Sequence, residues 1–509
     1  MPNYKSGIEH AELKRLNLFN RHNQKSKIIA RDWNAQLHRT ANDSGVDDNH
    51  LLGMFDYFQG TEHVPFKRVT AQDIDFGLDN LTYKEETDKN RYLVYGENNN
   101  LVARINYDKD HDKQVTSAEL FDEYGNLYRV DQYDSRGFKS LLQWYTPDNK
   151  VGNEEWVTLD GRSVIRTFNK FDIHHKLVKT GWWLQERNGQ IHTFDTMDEL
   201  FEHFLNIINK KGKNIFVLDR SSLADAALIR LERPAYTVMY LHNSQAGDAQ
   251  DPMHSIVNDN YEYPLANLDK YDAVVSATQK QTNDVIARFK PKAKSFTIPV
   301  GIVSDDNLNE ERVPMDKRTY GKVIAVARIA YEKHLDDLVR AIKIVHDEIP
   351  EVTLDLYGYA DESKNYAEKR KVQKVIDELD LNDVVTFKGY TNEIAKVEKQ
   401  AQIFGLTSRM EGFNLAIMEA ISHGVIGITY DVNYGPNDII QNEKNGYIVD
   451  YEDYKALAAK MIKVLKDKKL MQKLSTGAYD SSHRYSDENV WKAWSALIDD
   501  ADKTLKVEA

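Results

Sequence analysis

From Asn214 onward the chain alternates short apolar runs with longer polar or helix-like stretches, and no other feature restricts its fold as tightly. The first series contains Ile215-Phe216-Val217-Leu218, Thr237-Val238-Met239-Tyr240-Leu241 and Ala273-Val274-Val275-Ser276. A second begins at Lys322-Val323-Ile324-Ala325-Val326 and continues through Val352–Leu356, Val384–Phe387, Ile403–Leu406 and Gly427–Tyr430. Runs that are apolar at nearly every position need cover on both faces, which is the condition of a parallel sheet between crossover helices. Ile298–Ile302 and the acidic stretch Ser304–Pro314 separate the two series, so the hinge is placed there. Two doubly wound units in tandem bring the carboxyl ends of two sheets to a cleft, where open α/β sheets bind ligands. The fold class is therefore α/β, with two Rossmann-like domains facing a cleft.

A different texture precedes this. Between about residues 69 and 194, aromatic and β-branched segments alternate with turn signals such as Tyr124-Gly125-Asn126, Pro147-Asp148-Asn149, Asp160-Gly161 and Asn188-Gly189. Their spacing predicts an inserted, antiparallel β-rich domain built as a meander of hairpins, a degenerate repeat without catalytic side chains. The expected division is 1–68 with 200–312 as a discontinuous N-terminal Rossmann-like domain and 69–199 as the insertion. Residues 313–482 are expected to form the C-terminal Rossmann-like domain, and 483–509 a final helix packing back on the N-terminal domain. At 509 residues the chain exceeds a single ordinary core. A net charge of −13 argues against a dedicated nucleic-acid binder. Cysteine is absent, which removes thiolate zinc sites and cysteine nucleophiles. No apolar run approaches the roughly 20 residues that span a bilayer. The amino end lacks an apolar leader. Cytoplasmic location, with peripheral contact at the inner face of the membrane, is the expectation.

Four segments carry candidate chemistry. Ser408-Arg409-Met410-Glu411-Gly412-Phe413-Asn414 follows an apolar strand and opens a helix reaching Glu419 and Ala420. Gly412 admits close backbone approach, the helix amides favour a phosphate, and two acids eight residues apart suit the two ends of a nucleotide sugar. Arg328 and Lys333 stand at a strand-to-helix turn, where a planar fork and a point charge can clamp a diphosphate and stabilise its departure. His242 ends an apolar strand on the cleft edge, where it could bond the donor sugar or departing phosphate or serve as a structural histidine. Lys5-Ser6-Gly7 precedes the first helix, where Ser6 and Gly7 could receive a phosphate or acceptor hydroxyl or simply cap the helix. Tyr357-Gly358-Tyr359 and Lys388-Gly389-Tyr390 end two further strands as candidate base-contacting loops or plain turns.

These residues resemble those of the retaining GT-B glycosyltransferases of family 4. Glu411 and Glu419 look like that family's Glu-x7-Glu element, Arg328 and Lys333 like its phosphate-binding pair, and Lys5–Glu9 like its amino-terminal glycine loop. Only Met1–Tyr4 precede Lys5, where such folds carry a first strand. The β-rich insert resembles that of a bacterial group containing teichoic-acid α-glycosyltransferases and enzymes that glycosylate serine-rich or Ser-Asp-repeat adhesins. The resemblance implies transfer of glucose or N-acetylglucosamine from a UDP-sugar with retention, no metal or other cofactor, and homo-oligomerisation through the insert. It implies donor-sugar contacts from Glu411, ribose contacts from Glu419, diphosphate contacts from Arg328 and Lys333, and His242 beside the sugar. Gly412, Phe413, Asn414, Tyr357, Gly358, Lys388, Gly389 and Tyr390 complete the expected donor site.

Wall teichoic acid stands ahead of a serine-rich protein as the expected acceptor; Lys369-Arg370-Lys371 and Lys374 form one basic cluster on a predicted helix, read first as a solvated helix face and second as an acceptor patch. An epimerase or hydrolase on the same scaffold would need a base placed for proton abstraction or water activation. A catalytically silent acceptor-binding subunit would not need the donor-site acids and cations. Glu411, placed at the mouth of a cleft, is expected to be replaceable by Ala without loss of fold.

Overall fold

The computed structural model describes residues 7–210 and 213–508. The chain divides into two compact units, Met1–Lys211 with Arg230–Glu232, and Gly212–Ile229 with Arg233–Ala509. In the first, the helix Gly7–Arg21 precedes a parallel pair of short strands, Ile28–Ala30 and Leu51–Gly53. A ten-stranded antiparallel meander then runs from Thr82–Glu86 to Ile191–Phe194, each strand paired with its neighbours in sequence.

One turn geometry recurs through this sheet. At Gly96, Asp122, Thr146, Thr158, Asp172 and Glu186, the residue's N–H donates to the carbonyl four residues on, and its own carbonyl accepts from the N–H three residues on. The third residue onward is left-handed each time: Asn99, Gly125, Asn149, Gly161, His175 and Gly189 have φ of 58, 82, 56, 84, 57 and 85°. A turn followed by a left-handed residue is a common longer hairpin connection, and it explains the regular Gly/Asn punctuation.

The meander is packed by aromatic and aliphatic side chains. Trp156 is 2% exposed and lies 4.7 Å from the Phe55 ring and 5.7 Å from that of Trp182. Elsewhere in the sheet Val94, Ala103, Ile105, Ala118 and Leu120 form a buried cluster with Ala71, against which Val69, Ile74 and Phe76 pack. Arg136 joins the turn after Leu127–Asp134 to the helix Met54–Gln59. Its guanidinium donates to Asp134 at 2.8 Å, to Asp56 at 2.6 Å and to the Thr61 carbonyl at 2.6 Å.

The second unit holds two parallel sheets. Four strands lie in sequence order: Ile215–Leu218, Tyr236–Leu241, Ala273–Ser276 and Lys294–Thr297. The other sheet has six strands, in the spatial order Val385–Gly389, Thr353–Tyr357, Lys322–Val326, Ile403–Leu406, Ile426–Tyr430 and Gly446–Val449. Its strand order reverses between Lys322–Val326 and Ile403–Leu406, which pair through Val323 with Ile403 and Ile324 with Phe404. That reversal opens a crevice at the strands' carboxyl ends. Leu338, Ile342 and Val345 of the helix Leu335–Glu348 share one core with Leu457 and Met461 of Tyr454–Lys466. The final helix, Asp487–Glu508, lies on the four-stranded sheet: Trp494 meets the Tyr240 ring edge-on at 5.9 Å, and Tyr236 donates to Asp500 at 2.7 Å.

The Arg136 cluster generates a stability prediction. Arg136, Asp134 and Asp56 are all buried, so Arg136→Ala strands two carboxylates and should lower stability by about 3–5 kcal/mol in a denaturant melt. A loss below about 1 kcal/mol would mean that this cluster is not what joins turn to helix. Burial pushes the Asp56 carboxyl up, but the His38 hydrogen bond and the Arg136 charge hold it below the ordinary value. A depressed folded-state pKa stabilises above the unfolded value, so this contribution should disappear as pH falls through the folded one.

Candidate active site

The loops at the carboxyl ends of its strands line the crevice of the six-stranded sheet. Ala327 and Arg328 follow Lys322–Val326, and a short turn, Tyr331–Lys333, leads into the helix Leu335–Glu348. Thr407 to Asn414 follow Ile403–Leu406 and lead into the helix Leu415–Ser422. Because these two strands are neighbours, Lys333 and Glu411 meet although 78 residues separate them, with Nζ 2.8 Å from Oε1.

Glu411 is the centre of the arrangement. Its Oε1 accepts from Lys333, from the Ser408 hydroxyl at 2.6 Å and from the Asn414 side-chain amide at 2.9 Å. Among the described residues, no hydrogen bond goes to Oε2. The carboxylate is thus oriented by three donors on one oxygen. Thr407 donates to the carbonyl of His334 at 2.8 Å, which ties the two loops behind the ion pair.

This differs from the sequence expectation in two respects. Glu411 is 6% exposed and bound on three sides, so it is not a free acid at a cleft mouth. Its replacement by Ala would leave the half-buried Lys333 without its partner, a change that costs stability. The helix also begins later than the motif suggested. Asn414, at φ 72°, is its cap and accepts from Ile417 N–H at 3.0 Å while its amide holds Glu411. Glu419 lies one turn further along this helix, half-buried.

Gly412 brings the four-stranded sheet into the site. A Cβ at this position would stand 2.0 Å from the carbonyl oxygen of His242 and 2.7 Å from Cα of Asn243. The two loops are in backbone contact there, which only glycine permits. His242 follows the strand Tyr236–Leu241, and its Nε2 is 2.8 Å from Asp219, which follows the adjacent strand Ile215–Leu218. With the imidazole 4% exposed and its ring tilted 30° to that of Tyr240 at 4.4 Å, Asp219 fixes its orientation. Further bonds hold these loops together: Gln245 donates to the Tyr434 hydroxyl at 2.7 Å, Tyr434 to Asp284 at 2.8 Å, and Asn433 to the Ala249 carbonyl at 2.7 Å.

Arg328 is 44% exposed and paired with Glu332 at 2.6 Å. Burial works to lower its pKa, but the Glu332 hydrogen bond and charge raise it above the ordinary value. The guanidinium is therefore a permanent cation at the crevice. Its turn is joined to the next loop by Ala327 N–H donating to the Tyr357 carbonyl at 2.9 Å. Gly358 N–H donates in turn to the Gly389 carbonyl at 2.9 Å. A Cβ on Gly358, at φ 136°, would come within 2.0 Å of the Ala327 carbonyl oxygen. Lys388 Nζ stands 3.4 Å from Asp355, and Tyr390 is 40% exposed. Phe413 is buried, with its ring edge-on to Tyr485 at 5.4 Å, so its side chain belongs to the packing behind the loop. Gly7 begins the first helix, exposed and in the first unit, and Ser6 lies outside the described residues.

Sequence alone assigns no role to Ser408, Asp219 or Thr407. Ser408 is visible inside the Glu411 motif. Asp219 becomes meaningful only when adjacent strand ends are placed side by side.

Two parallel sheets, with a cation–carboxylate pair at the switch point of one and a histidine-bearing loop of the other against its glycine, define a GT-B glycosyltransferase fold. Residues 308–481 match the family model described as glycosyl transferases group 1, so the chain carries a domain of that family. It is 26% identical over 523 residues to the UDP-N-acetylglucosamine–peptide N-acetylglucosaminyltransferase GtfA subunit of Streptococcus pneumoniae, covering 97% of this chain and 96% of that protein. It is 25% identical over 406 residues to the poly(glycerol-phosphate) alpha-glucosyltransferase of Bacillus subtilis, covering 80% of this chain and 57% of that one. The crystal structure of pneumococcal O-GlcNAc transferase GtfA with UDP and GlcNAc superposes with a TM-score of 0.80 at 21% identity, covering 98% of this chain and 96% of that chain.

The Gly412 contact is directly testable. Gly412→Ala should force the loops apart and, by displacing Glu411 about an ångström, reduce sugar transfer by about 100-fold with the fold retained by circular dichroism. Transfer within a few-fold of the parent would show that the backbone contact does not set the position of Glu411.

Proposed function

We propose that the chain is a retaining glycosyltransferase that moves N-acetylglucosamine from UDP-N-acetylglucosamine to hydroxyl groups of a serine-rich protein. The observation that carries the transferase reading is the Lys333–Glu411 pair at the switch point, with Gly412 against the His242 backbone. In this reading Lys333 and Arg328 hold the diphosphate, Glu411 meets the donor-sugar hydroxyls, Glu419 meets the ribose, and the loops at Tyr357–Gly358 and Lys388–Tyr390 border the base. Phe413 and Asn414 support this loop, one by packing and the other by hydrogen bonding.

The bond between the anomeric carbon and the β-phosphate oxygen breaks, and the acceptor oxygen bonds to that carbon from the same face. The acceptor's proton passes to the departing phosphate oxygen. Positive charge from Lys333 and Arg328 stabilises the UDP leaving group, the work a divalent ion performs elsewhere. Metal-independent transfer belongs to the same proposal. His242, held by Asp219, supplies a fixed polar group beside the sugar.

End-to-end similarity to a peptide N-acetylglucosaminyltransferase favours the protein acceptor over the teichoic acid placed first from the sequence. Partial similarity to a poly(glycerol-phosphate) glucosyltransferase keeps wall teichoic acid, with glucose as donor sugar, as the second reading. Self-association through the ten-stranded sheet completes the proposal, and a light-scattering mass of a single chain would refute that part.

The deciding assay offers UDP-N-acetylglucosamine and UDP-glucose with a serine-rich polypeptide and with purified teichoic acid, with and without EDTA. The expected product is N-acetylglucosaminyl polypeptide of retained α configuration, formed equally well in EDTA. Glucosylated teichoic acid alone would select the second reading. Release of free sugar regardless of acceptor would contradict both.

A further inference from the structure

Outside the donor site, the first unit contains a cluster of three metal-ligand side chains, Glu186, His192 and His203, whose ligand atoms all lie within 4.8 Å of one another. We propose that they form a binding site for a divalent transition metal, zinc in particular, that fastens the last hairpin of the meander to the helix following it. Each ligand comes from a different element. Glu186 opens the turn after Leu177–Gln185, His192 lies on Ile191–Phe194, and His203 on Met197–Asn209.

The geometry is that of a preformed His2Glu set. Both Nε2 atoms approach the same carboxylate oxygen, Oε1 of Glu186, at 3.1 Å from His192 and 2.8 Å from His203. The imidazole rings are 4.4 Å apart. Ligands around a tetrahedral zinc ion, with bonds of about 2.0–2.1 Å, stand about 3.3 Å from one another, so little movement separates this cluster from a bound geometry. Nε2 of His192 is buried and lacks a well-formed hydrogen bond, the condition of a nitrogen placed for another partner.

The surroundings support the ligands. Oε2 of Glu186 accepts from the Asn188 amide at 3.3 Å, which directs Oε1 toward the histidines. The turn is closed by Glu186 N–H to the Gln190 carbonyl, and Leu184 pairs with His192 in the sheet, so two ligands are fixed by the hairpin itself. The helix bearing His203 is started by a reciprocal cap between Thr196 and Glu199 and anchored by buried Leu200 and Phe204. Phe194 closes one side, 5.2 Å from the ring of His203 and 6.2 Å from that of His192. The nearest cation in sequence, Arg187, is bound to Glu62 at 2.8 Å and to the Tyr57 carbonyl at 2.6 Å. The ligand side chains remain 15–23% exposed, which leaves access for the ion and for water as a fourth ligand.

Titration of the chelator-stripped full chain with Co(II), followed by its visible absorption and then by displacement with Zn(II), tests this. About one Co(II) per chain should bind with the spectrum of a low-coordinate nitrogen–oxygen site, and Zn(II) should abolish that spectrum. Loss of a group that only supports a ligand already weakens metal sites by about 10–100-fold, so His192→Gln and His203→Gln should each weaken binding by at least about tenfold. Zn(II) should also raise the melting temperature of the parent chain and leave that of either variant unchanged. Absence of the Co(II) spectrum, or equal affinity in parent and both variants, would overturn the proposal. If a variant fails to fold, Glu186→Gln serves as the third ligand deletion. UDP affinity, read in parallel, reports the donor site in the other unit, so failure of one assignment is separable from failure of the other.

Discussion

The ion pair between Lys333 and Glu411 is the contact on which the candidate site depends. It exists because the sheet reverses its strand order between Lys322–Val326 and Ile403–Leu406, so loops from distant parts of the sequence leave adjacent strands. A buried cation and carboxylate are tolerated only when paired and hydrogen-bonded. Ser408 and Asn414 meet that requirement for Glu411 from the same loop, and Thr407 ties that loop to the backbone at His334. A sugar nucleotide entering this crevice would meet charges already oriented and shielded from water, the preorganisation that makes electrostatic stabilisation effective.

Gly412 connects that pair to the other parallel sheet. With the His242 carbonyl where its Cβ would be, the two loops cannot part without loss of the contact. The bonds from Gln245 to Tyr434 and from Asn433 to the Ala249 carbonyl reinforce the same boundary, and the final helix packs on the four-stranded sheet through Trp494. The first unit is built on another principle. Its repeated hairpins use one left-handed turn residue after another, and a central turn is tied to the helix Met54–Gln59 by the cluster around Arg136.

Much of this was legible in the residues because the relevant signals are local. Fully buried strands such as Tyr236–Leu241 and Ile403–Leu406 read as unbroken apolar runs, and the hairpin turns read as spaced glycines and asparagines. Lys294–Thr297 and Gly446–Val449 were harder to see. The former is a partly exposed edge strand of mixed polarity, and the latter is a short run opening on a glycine whose added Cβ would strike the Gly427 carbonyl. Chemistry within one motif, as at Glu411, Gly412 and Asn414, could be proposed from spacing. The burial of Glu411 and the Asp219–His242 pair could not, because both arise from strands brought together by the sheet. His175 takes the turn angle that glycine and asparagine take elsewhere, which conceals that hairpin from a reading based on turn residues.

In the proposed reaction Glu411 acts on the donor sugar from a position fixed by Lys333. The most direct measurement of this compares UDP affinity and sugar-transfer rate for the parent chain and Glu411→Gln, which keeps a side-chain oxygen for Ser408 and Asn414. UDP affinity should stay within a few-fold of the parent while the transfer rate falls by about 100-fold or more. Transfer at the parental rate with UDP affinity intact would contradict that role for Glu411.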